Sequence, residues 1–282
     1  MQIVKLNKND NNSTNIKYNH GIPYISFNAL EKYTWLKHGF STRYGGVSEN
    51  ELATMNLGFS RGDLEENVIK NHEIIADTIG FDAKNIVTSH QTHTTNVRLV
   101  TQDDCGKGIY VPRDYENIDA LITNEKDVVL ATYFADCVPL FIVDRKNKAI
   151  GLAHSGWKGT VNKIGLNTIE HMKQEFKTKP ENIVACIGPS ICKKCYEIGE
   201  DVAVHIKEAF PENYEEVLEE KHNGKYQLDL WKCNELIFLQ AGVMKENIHI
   251  TDLCTCCNLE TLFSHRGHNK KRGNLAAFMT IL

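Results

Sequence analysis

The chain has 282 residues, of which 41% are hydrophobic and 24% are charged, and its formal net charge is -4. This composition is that of a globular protein with a sizeable core, and the weak negative charge argues against nucleic acid or an anionic membrane as the main partner. No apolar run reaches the length of a membrane helix, and the first residues lack the apolar core of a signal peptide, so we expect a cytoplasmic protein. Nine cysteines, an odd number scattered through the chain, favour reduced thiols and metal ligands over disulfides.

The N-terminal stretch differs in composition from the rest of the chain. Residues 7–15 are rich in Asn and poor in apolar side chains, which predicts a mobile tip or an exposed hairpin turn. We therefore assign residues 1–20 to a poorly ordered or hairpin N-terminus and residues 21–282 to a single domain.

The first predicted strands lead to an arginine beside two glycines. Residues 37–42 have strand character and run into Arg43 and the pair Gly45-Gly46. A glycine pair after a strand lets the backbone approach a ligand closely. A tight turn beside a solvated arginine is the simpler interpretation, and spacing alone favours it.

Two histidines lie between predicted strands in the first half of the chain. A capping box at Asp63 opens an amphipathic helix that ends at Gly80, and the strand that follows leads to His90 and His93. Either histidine alone is more typical of a surface side chain, but one of them would complete a three-ligand metal site with residues later in the chain. The polar residues 101–118 predict a long loop that could overhang such a site.

The centre of the chain carries the strongest chemical signal. An apolar run over residues 128–134 predicts a buried strand that delivers Asp136 and Cys137 at its carboxyl end. Two later apolar runs are predicted to pair as a hairpin, which would bring Cys137 and His154 to one edge of a sheet. A cysteine and a histidine brought together by a fold are either metal ligands or a nucleophile and its base.

A candidate anion site follows His154. Residues 160–177 carry apolar side chains at helical spacing, so Ser155–Gly159 lies at a predicted helix N-terminus. Free backbone N–H groups and the helix dipole favour an anion there, and Lys158 would strengthen the site. The chain contains no phosphate loop, dinucleotide fingerprint or nucleophile elbow, so ATP, NAD and serine-hydrolase chemistry by the common routes are not indicated.

The last third of the chain contains two groups of cysteines. Its strands and helices are interleaved without strict alternation, which predicts one mixed α/β domain rather than a doubly wound sheet. Cys192-x-x-Cys195 and Cys254-x-Cys256-Cys257 could in principle form a second zinc site. Because the second group has irregular spacing and no flanking glycine, we favour structural or incidental thiols over a second metal.

Several motifs, ordered from about residue 24 to the C-terminus, give the chain a resemblance to a known family. The motifs are His38-Gly39-Phe40-Ser41-Thr42-Arg43 with Gly45-Gly46-Val47-Ser48, Asn56-Leu57-Gly58, Gln91-Thr92-His93, Asp119-Ala120-Leu121-Ile122-Thr123, Ala135-Asp136-Cys137-Val138-Pro139, His154-Ser155-Gly156-Trp157-Lys158-Gly159, Ile187-Gly188-Pro189, Cys195-Tyr196-Glu197 and Phe263-Ser264-His265-Arg266. With these motifs the chain resembles the YfiH/LACC1 family, once labelled multicopper polyphenol oxidoreductase and now described as zinc-dependent purine nucleoside phosphorylase.

The resemblance implies a single-domain, four-layer α/β/β/α sandwich with mixed sheets. It also implies a zinc ion held by His93, Cys137 and His154, and phosphorolysis of adenosine, inosine, guanosine and methylthioadenosine, with adenosine deamination alongside. Two imidazoles and one thiolate leave a fourth zinc position open, which is the arrangement of a catalytic site. Where the family typically has Gly-Arg near its end, this chain has Gly273-Asn274, and Arg272 is the candidate replacement.

The remaining site residues are assigned from these motifs and from the predicted anion site. Catalysis is assigned to Cys137, Asp136 and His154, where Asp136 could orient a histidine ligand, shuttle a proton, or only cap its strand. Binding of purine nucleosides and phosphate is assigned to six residues, which are Arg43, Asn56, Gln91, Ser155, Gly156 and Lys158.

Three other functions compete with this prediction. Copper at the same thiolate site would suit a polyphenol oxidase, but none of the 12 histidines forms the His-x-His pair typical of a trinuclear copper centre. A metal-free cysteine hydrolase or deamidase would use Cys137 and His154 and would leave His93 unexplained. A zinc-stabilised interaction module without activity would need a fourth protein ligand that closes the metal site.

Overall fold

The structure, a computed structural model, describes residues 13–282. The described part of the predicted N-terminal segment 1–20 belongs to a hairpin, since Thr14–Asn19 pairs antiparallel with Ile22–Phe27. His20 and Gly21 connect the strands with φ values of 49° and 77°, the left-handed backbone that such a tight turn requires. The rest of that segment, residues 1–12, lies outside the described residues.

Within the described residues the chain forms fifteen strands and seven α-helices. The strands in chain order are β1 (Thr14–Asn19), β2 (Ile22–Phe27), β3 (Leu36–Ser41), β4 (Ile86–Thr88), β5 (Val97–Leu99), β6 (Ala120–Thr123), β7 (Val129–Phe134), β8 (Val138–Asp144), β9 (Ala149–Ser155), β10 (Ile183–Ile187), β11 (Glu197–Gly199), β12 (Leu218–Glu220), β13 (Lys225–Leu228), β14 (Ile248–Ile250) and β15 (Leu275–Ile281). The helices are α1 (Asn28–Glu31), α2 (Glu65–Ile79), α3 (Trp157–Val161), α4 (Ile164–Phe176), α5 (Glu200–Ala209), α6 (Tyr214–Val217) and α7 (Leu230–Gln240). None of these helices has the length and apolar character needed to cross a membrane.

The strands form two six-stranded mixed sheets and one small three-stranded sheet. The first sheet has the order β1-β2-β3-β15-β7-β4, with β4 parallel to β7. The second has the order β14-β10-β8-β9-β6-β5, with a parallel pair at each edge. The late strand β15 therefore lies inside the first sheet, between β3 and β7.

Apolar side chains fill the space between the two large sheets and cover both outer faces. Phe40 and Phe134 of the first sheet belong to the same buried cluster as Phe141 and Leu152 of the second. Helix α2 covers the outer face of the first sheet, and helices α4 and α7 cover that of the second. This order of layers confirms the predicted α/β/β/α sandwich. Because both faces of the central strands are covered, every residue of β8 and β9 is buried.

Strands β8 and β9 form the hairpin that their apolar runs predict. Its turn is fixed by Asp144, whose carboxylate accepts hydrogen bonds from the backbone N–H groups of Lys146 and Asn147 at 2.9 and 3.1 Å. The register places Pro139 opposite His154. Cys137, two residues before Pro139, therefore lies at the same end of the sheet as His154, as predicted.

The helix predicted over residues 160–177 begins earlier and is divided in two. The chain is already helical at Trp157, and Lys163 takes a φ of 59° between α3 and α4. The apolar residues before and after Lys163 fit one helical spacing in the sequence, so the spacing does not reveal the break.

A buried histidine makes the fold sensitive to acid. Nε2 of His38, in β3, accepts a hydrogen bond from the backbone N–H of Phe27 at 2.8 Å. Burial lowers the pKa of His38 from its usual value of 6.5 to about 4. Because the folded protein then binds fewer protons than the unfolded chain, stability is lost as the pH falls from about 6.5 towards about 4.

We expect His38→Gln, which keeps an acceptor but cannot gain a proton, to flatten this pH dependence. Between pH 7 and pH 5 its free energy of unfolding should fall by about 2 kcal/mol less than that of the parent chain. Denaturant unfolding at both pH values measures the difference. An equal loss of stability in the two proteins would show that His38 is not the group responsible.

Candidate metal centre and its cavity

The structure brings the three predicted metal ligands together. Ligand atoms of His93, Cys137 and His154 all lie within 4.8 Å of one another, and Cys137 Sγ is 3.9 Å from His93 Nε2. A tetrahedral zinc ion with bonds of about 2.0–2.3 Å holds its ligand atoms roughly 3.5 Å apart, so this spacing fits one ion. Among residues 13–282 no fourth Cys, His, Asp or Glu joins the group, whereas a closed interaction module would need one.

A buried carboxylate orients the ring of His154 and holds the backbone of His93. Asp119 is fully buried, and its Oδ1 accepts hydrogen bonds from His154 Nδ1 at 2.8 Å and from the backbone N–H of His93 at 3.1 Å. Its Oδ2 accepts hydrogen bonds from the backbone N–H groups of Thr92 and Thr94 at 3.1 and 2.8 Å. Because Nδ1 of His154 is hydrogen-bonded to Asp119, Nε2 is the ring nitrogen of His154 that remains to bind a metal.

The charge of Asp119 is fixed by its partners. Burial raises the pKa of Asp119, but its hydrogen bond with His154 and the positive charge of that ring lower the pKa to about 2. The carboxyl group is therefore ionised at neutral pH. Sequence reasoning gave Asp119 no role in the site. The available signal was an acidic residue directly before the apolar strand β6, where a buried charge needs a partner.

The thiol of Cys137 and the imidazole of His154 perturb each other. Burial raises the pKa of Cys137, but the charge of His154 and hydrogen bonds with both histidines lower it to about 6. Burial lowers the pKa of His154, whereas the charge of Cys137 and the hydrogen bond to Asp119 raise it to about 9. Without a metal, the two side chains therefore form a thiolate and imidazolium pair. The thiolate is the form of cysteine that binds metals.

The backbone beside Cys137 is held in an unusual conformation. Asp136 has a φ of 88°, in the left-handed region that non-glycine residues rarely adopt. Its carboxylate accepts hydrogen bonds from Thr255 Oγ1 at 2.6 Å and from the backbone N–H of Arg266 at 2.7 Å. These partners lie in a late loop and not on a ligand histidine. Of the three roles considered for Asp136, the geometry agrees best with capping the end of its strand.

Gly156 packs directly against the ligands. A Cβ atom at this position would lie 2.8 Å from His93 Cδ2 and 3.1 Å from Cys137 Sγ. Both distances are shorter than ordinary van der Waals contacts. Only glycine therefore leaves these ligand atoms in place.

An open cavity of about 360 Å³ is lined by the three ligands and by an aromatic wall. The wall consists of Phe59, Tyr133 and Phe134. His90 also lines the cavity, and its Nδ1 accepts a hydrogen bond from the backbone N–H of Asn117 at 3.0 Å. In the neutral ring the hydrogen is therefore carried by Nε2.

Three arginines give the cavity a positive wall. Arg61, Arg113 and Arg272 line it, and none of its lining residues is Asp or Glu. Arg113 belongs to the loop that was predicted to overhang the site and donates a hydrogen bond to Thr88 Oγ1 at 2.8 Å. Arg272 is buried, and its Nε has no hydrogen-bond partner among the described residues. An unpaired buried donor costs free energy. Three guanidinium groups without a carboxylate among the lining residues therefore make this wall suited to bind an anion.

Only one of the six residues predicted to bind substrate lines the cavity. Gln91 does so, and its side chain is fixed by two hydrogen bonds to the backbone of Tyr133, both of 2.7 Å. Asn56 is buried, and its Oδ1 accepts hydrogen bonds from the backbone N–H groups of Gly58 and Asn274, both at 3.0 Å. Because Gly58 and Asn274 line the cavity, Asn56 holds the wall in place without belonging to it.

The residues of the predicted anion site lie outside the cavity lining. The guanidinium group of Arg43 donates hydrogen bonds to two backbone carbonyl groups, both at 2.9 Å. Ser155 is buried and donates a hydrogen bond to Asn234 Oδ1 at 3.0 Å. Lys158 is exposed and stands at the start of a helix of only five residues. The positive charge in the cavity therefore comes from Arg272, the candidate replacement for the family's arginine, and from Arg61 and Arg113, which were given no role by the sequence.

Comparison with known proteins gives relatives that cover most of the chain. Residues 37–282 match the family described as multi-copper polyphenol oxidoreductase laccase. The chain is 38% identical over 245 residues to purine nucleoside phosphorylase YlmD of Bacillus subtilis, covering 86% of this chain and 87% of the relative. It is 32% identical over 262 residues to a purine nucleoside phosphorylase of Bacteroides thetaiotaomicron, covering 91% of this chain and 96% of the relative.

Solved structures show the same fold. The crystal structure of the Bacillus licheniformis hypothetical protein YfiH matches with a TM-score of 0.88 and 29% identity, covering 94% of this chain and 99% of that one. YlmD from Geobacillus stearothermophilus matches with a TM-score of 0.86 and 30% identity, covering 92% and 96%. The fold, the ordered motifs and these relatives agree, and the chain belongs to the YfiH family, described as multi-copper polyphenol oxidoreductase laccase.

Proposed function

We propose that this chain is a purine nucleoside phosphorylase that cleaves adenosine, inosine, guanosine or methylthioadenosine with phosphate, giving the free base and the sugar 1-phosphate. The observation that carries the proposal is a three-ligand metal group in a cavity whose wall holds three arginines and no carboxylate. Such a wall suits phosphate, which arginine binds through charge-assisted hydrogen bonds. The names of the relatives from Bacillus subtilis and Bacteroides thetaiotaomicron support this choice of reaction.

The proposed cofactor is zinc, held by His93, Cys137 and His154. Two imidazole nitrogens and one thiolate are donors that zinc prefers, and three protein ligands are typical of a catalytic zinc site. When bound, zinc supplies a Lewis acid that polarises an oxygen of the substrate. Copper also accepts soft thiolate donors, so metal analysis of the purified protein is part of the test.

The chain's own side chains would bind and orient the two substrates. The three arginines hold phosphate, and the aromatic wall packs against the purine ring. A phosphate oxygen attacks C1′ of the ribose while the bond from C1′ to the purine nitrogen breaks, and the electron pair leaves with the base. The close approach of the two bound substrates accounts for part of the expected rate enhancement.

His90 would stabilise the leaving base through a hydrogen bond. Its Nε2 carries the hydrogen in the neutral ring because Nδ1 accepts one from Asn117. That hydrogen, donated as a hydrogen bond to a purine nitrogen, stabilises the departing electron pair. The proton that the base takes up comes from the attacking hydrogen phosphate, which loses it as the new bond forms. As a side activity, the site would deaminate adenosine, with water replacing the amino group at C6 and ammonia leaving.

A metal-free thiol hydrolase or deamidase is the second candidate. The row of Cys137, His154 and Asp119 favours it, because a thiolate and imidazolium pair beside a carboxylate is the arrangement of cysteine hydrolases. In this alternative His93 has no role, and removal of metal would leave the activity intact.

Incubation of the purified chain with inosine or adenosine, with and without phosphate, tests the main proposal. We expect free base and ribose 1-phosphate only when phosphate is present, and a loss of activity on chelation that zinc restores. Cys137→Ala should lower kcat/KM roughly 100-fold or more because it removes a metal ligand. Cys105→Ala, which removes a half-buried thiol that does not line the cavity, is the matched control. Full activity in metal-free protein would favour the thiol enzyme instead, and restoration by copper alone would contradict the zinc assignment.

The arginine wall can be tested apart from the metal. Arg113→Gln and Arg61→Gln should each raise the KM for phosphate by roughly 10-fold or more, because each removes a charged donor, and should change the KM for inosine much less. Lys158→Gln, at the anion site predicted from the sequence, is the control and should leave both constants unchanged. If only the lysine variant affects phosphate, the anion is bound at the start of α3 and not in the cavity.

Two neighbouring glycines provide a test of the metal site that needs no substrate. Gly156→Ala should weaken zinc binding roughly 10- to 100-fold, because its Cβ would press on His93 and Cys137. Gly159→Ala should bind zinc normally, because its Cβ would find its nearest atoms at 3.4 Å. Competition with a chromogenic chelator measures both affinities. Equal affinities in the two variants would mean that Gly156 does not pack against the ligands of the bound metal.

A further inference from the structure

A second group of metal-binding side chains lies outside the cavity. The Sγ atoms of Cys192, Cys195, Cys254 and Cys257 all lie within 4.8 Å of one another, and those of Cys195 and Cys257 are 3.5 Å apart. All nine cysteines of the chain are free thiols, so no disulfide accounts for this grouping. A zinc ion bound tetrahedrally by four thiolates at about 2.3 Å holds the sulfur atoms about 3.8 Å apart, which is the spacing of a single ion.

The structure shows which cysteines of the second group lie beside the first pair. Taken together in the sequence, Cys254, Cys256 and Cys257 have an irregular spacing. The structure selects Cys254 and Cys257 and leaves Cys256 out of the group. Each loop therefore contributes a Cys-x-x-Cys pair, and paired cysteines from two loops are the usual ligand pattern of a structural zinc site.

The backbone around the group is already arranged to support thiolate ligands. The backbone N–H of Cys192 donates a hydrogen bond to Cys254 Sγ at 3.2 Å. The N–H groups of Cys195 and Tyr196 both bond to the carbonyl oxygen of Cys192, at 3.0 and 3.1 Å, which closes a tight turn between the first two ligands. Donors that orient ligands from outside the coordination sphere are a regular part of protein metal sites.

Charge and access also fit a metal ion. Four thiolates and one divalent ion carry a net charge of −2, and positively charged residues lie within and beside the first of the two loops. Lys193 and Lys194 lie between the first two ligands, and the guanidinium group of Arg266 bonds to the carbonyl oxygens of Cys195 and Glu197 at 3.4 and 3.0 Å. Cys192 and Cys254 are buried, whereas Cys257 is exposed and provides an entry path.

We propose that Cys192, Cys195, Cys254 and Cys257 bind a second zinc ion in a closed, structural site. Four protein ligands leave no position for a reactant, and none of the four cysteines lines the cavity. The ion fastens the loop before β11 to the loop after β14. The second loop also carries the two donors, Thr255 and Arg266, that hold Asp136 next to the ligand Cys137. The structural ion therefore stabilises the strand end on which the cavity site is built.

Zinc analysis of the full chain, purified without chelator, tests the proposal. We expect about two zinc ions per chain, and about one after Cys257→Ser, which alters the exposed ligand. Cys256→Ser, at the neighbouring thiol outside the group, should keep both ions and the parent melting temperature, whereas Cys257→Ser should lower that temperature. A zinc content unchanged by Cys257→Ser, a loss of zinc caused by Cys256→Ser, or iron in place of zinc would overturn the assignment.

The Cys137→Ala chain separates this proposal from the proposed function. It lacks a ligand of the cavity site, so we expect it to retain about one zinc ion, whether or not the parent cleaves nucleosides. Cobalt introduced into this variant should give the intense sulfur-to-cobalt absorption of a tetrahedral site with four thiolates. All four cysteines of the proposed second site are unchanged in Cys137→Ala. The measurement therefore remains decisive if Cys257→Ser does not fold. Absence of bound metal, or a disulfide between two of the four cysteines in mass spectra, would refute the second site.

Discussion

The candidate active site depends on the burial of one ionised carboxylate. Removing a carboxylate from water costs several kcal/mol unless donors replace the lost hydration, and Asp119 has donors from the segment after β4 and from the ring of His154. Its own carbonyl oxygen also accepts a hydrogen bond from the backbone N–H of His154 at 2.8 Å. Burial of the charge therefore requires the ring of His154 and the backbone of His93 to be in place, which couples the position of these two ligand residues to folding.

Different side chains supply the negative and the positive charge at the cavity. The thiolate of Cys137 lines the cavity with the histidines, and Asp119 is hydrogen-bonded to one of them, whereas the positive charge belongs to Arg61, Arg113 and Arg272. A cation and an anion can therefore bind at the same time without competing for one set of side chains. For a reaction between phosphate and a neutral nucleoside, this separation allows the attacking anion to be held while the metal site remains intact.

Sequence patterns predicted the parts of this protein that depend on local signals. The β8 and β9 hairpin follows from apolar runs and a turn at Asp144, and Cys137 and His154 were singled out because rare ligand types stand at strand ends. The choice of His93 over His90 came from the family resemblance. The four-layer arrangement came from the family resemblance and not from periodicity. The role of Asp119 and the positions of Arg61 and Arg113 were missed, because each is decided by contacts between segments far apart in the chain. The grouping of Cys254 and Cys257 with Cys192 and Cys195 could not be predicted, because Cys256 obscures the Cys-x-x-Cys spacing in the sequence.

The position of β15 constrains how the molecule can be made. This strand fills the gap between β3 and β7, so the first sheet consists of two incomplete halves until residues 275–281 have emerged from the ribosome. Until then β3 and β7 each present an open edge, and open edges of apolar strands are prone to pair with other chains. Contacts between residues so far apart in sequence also slow folding. The nascent chain therefore stays vulnerable to aggregation until residues 275–281 have been made, and a chaperone that shields those edges would raise its yield.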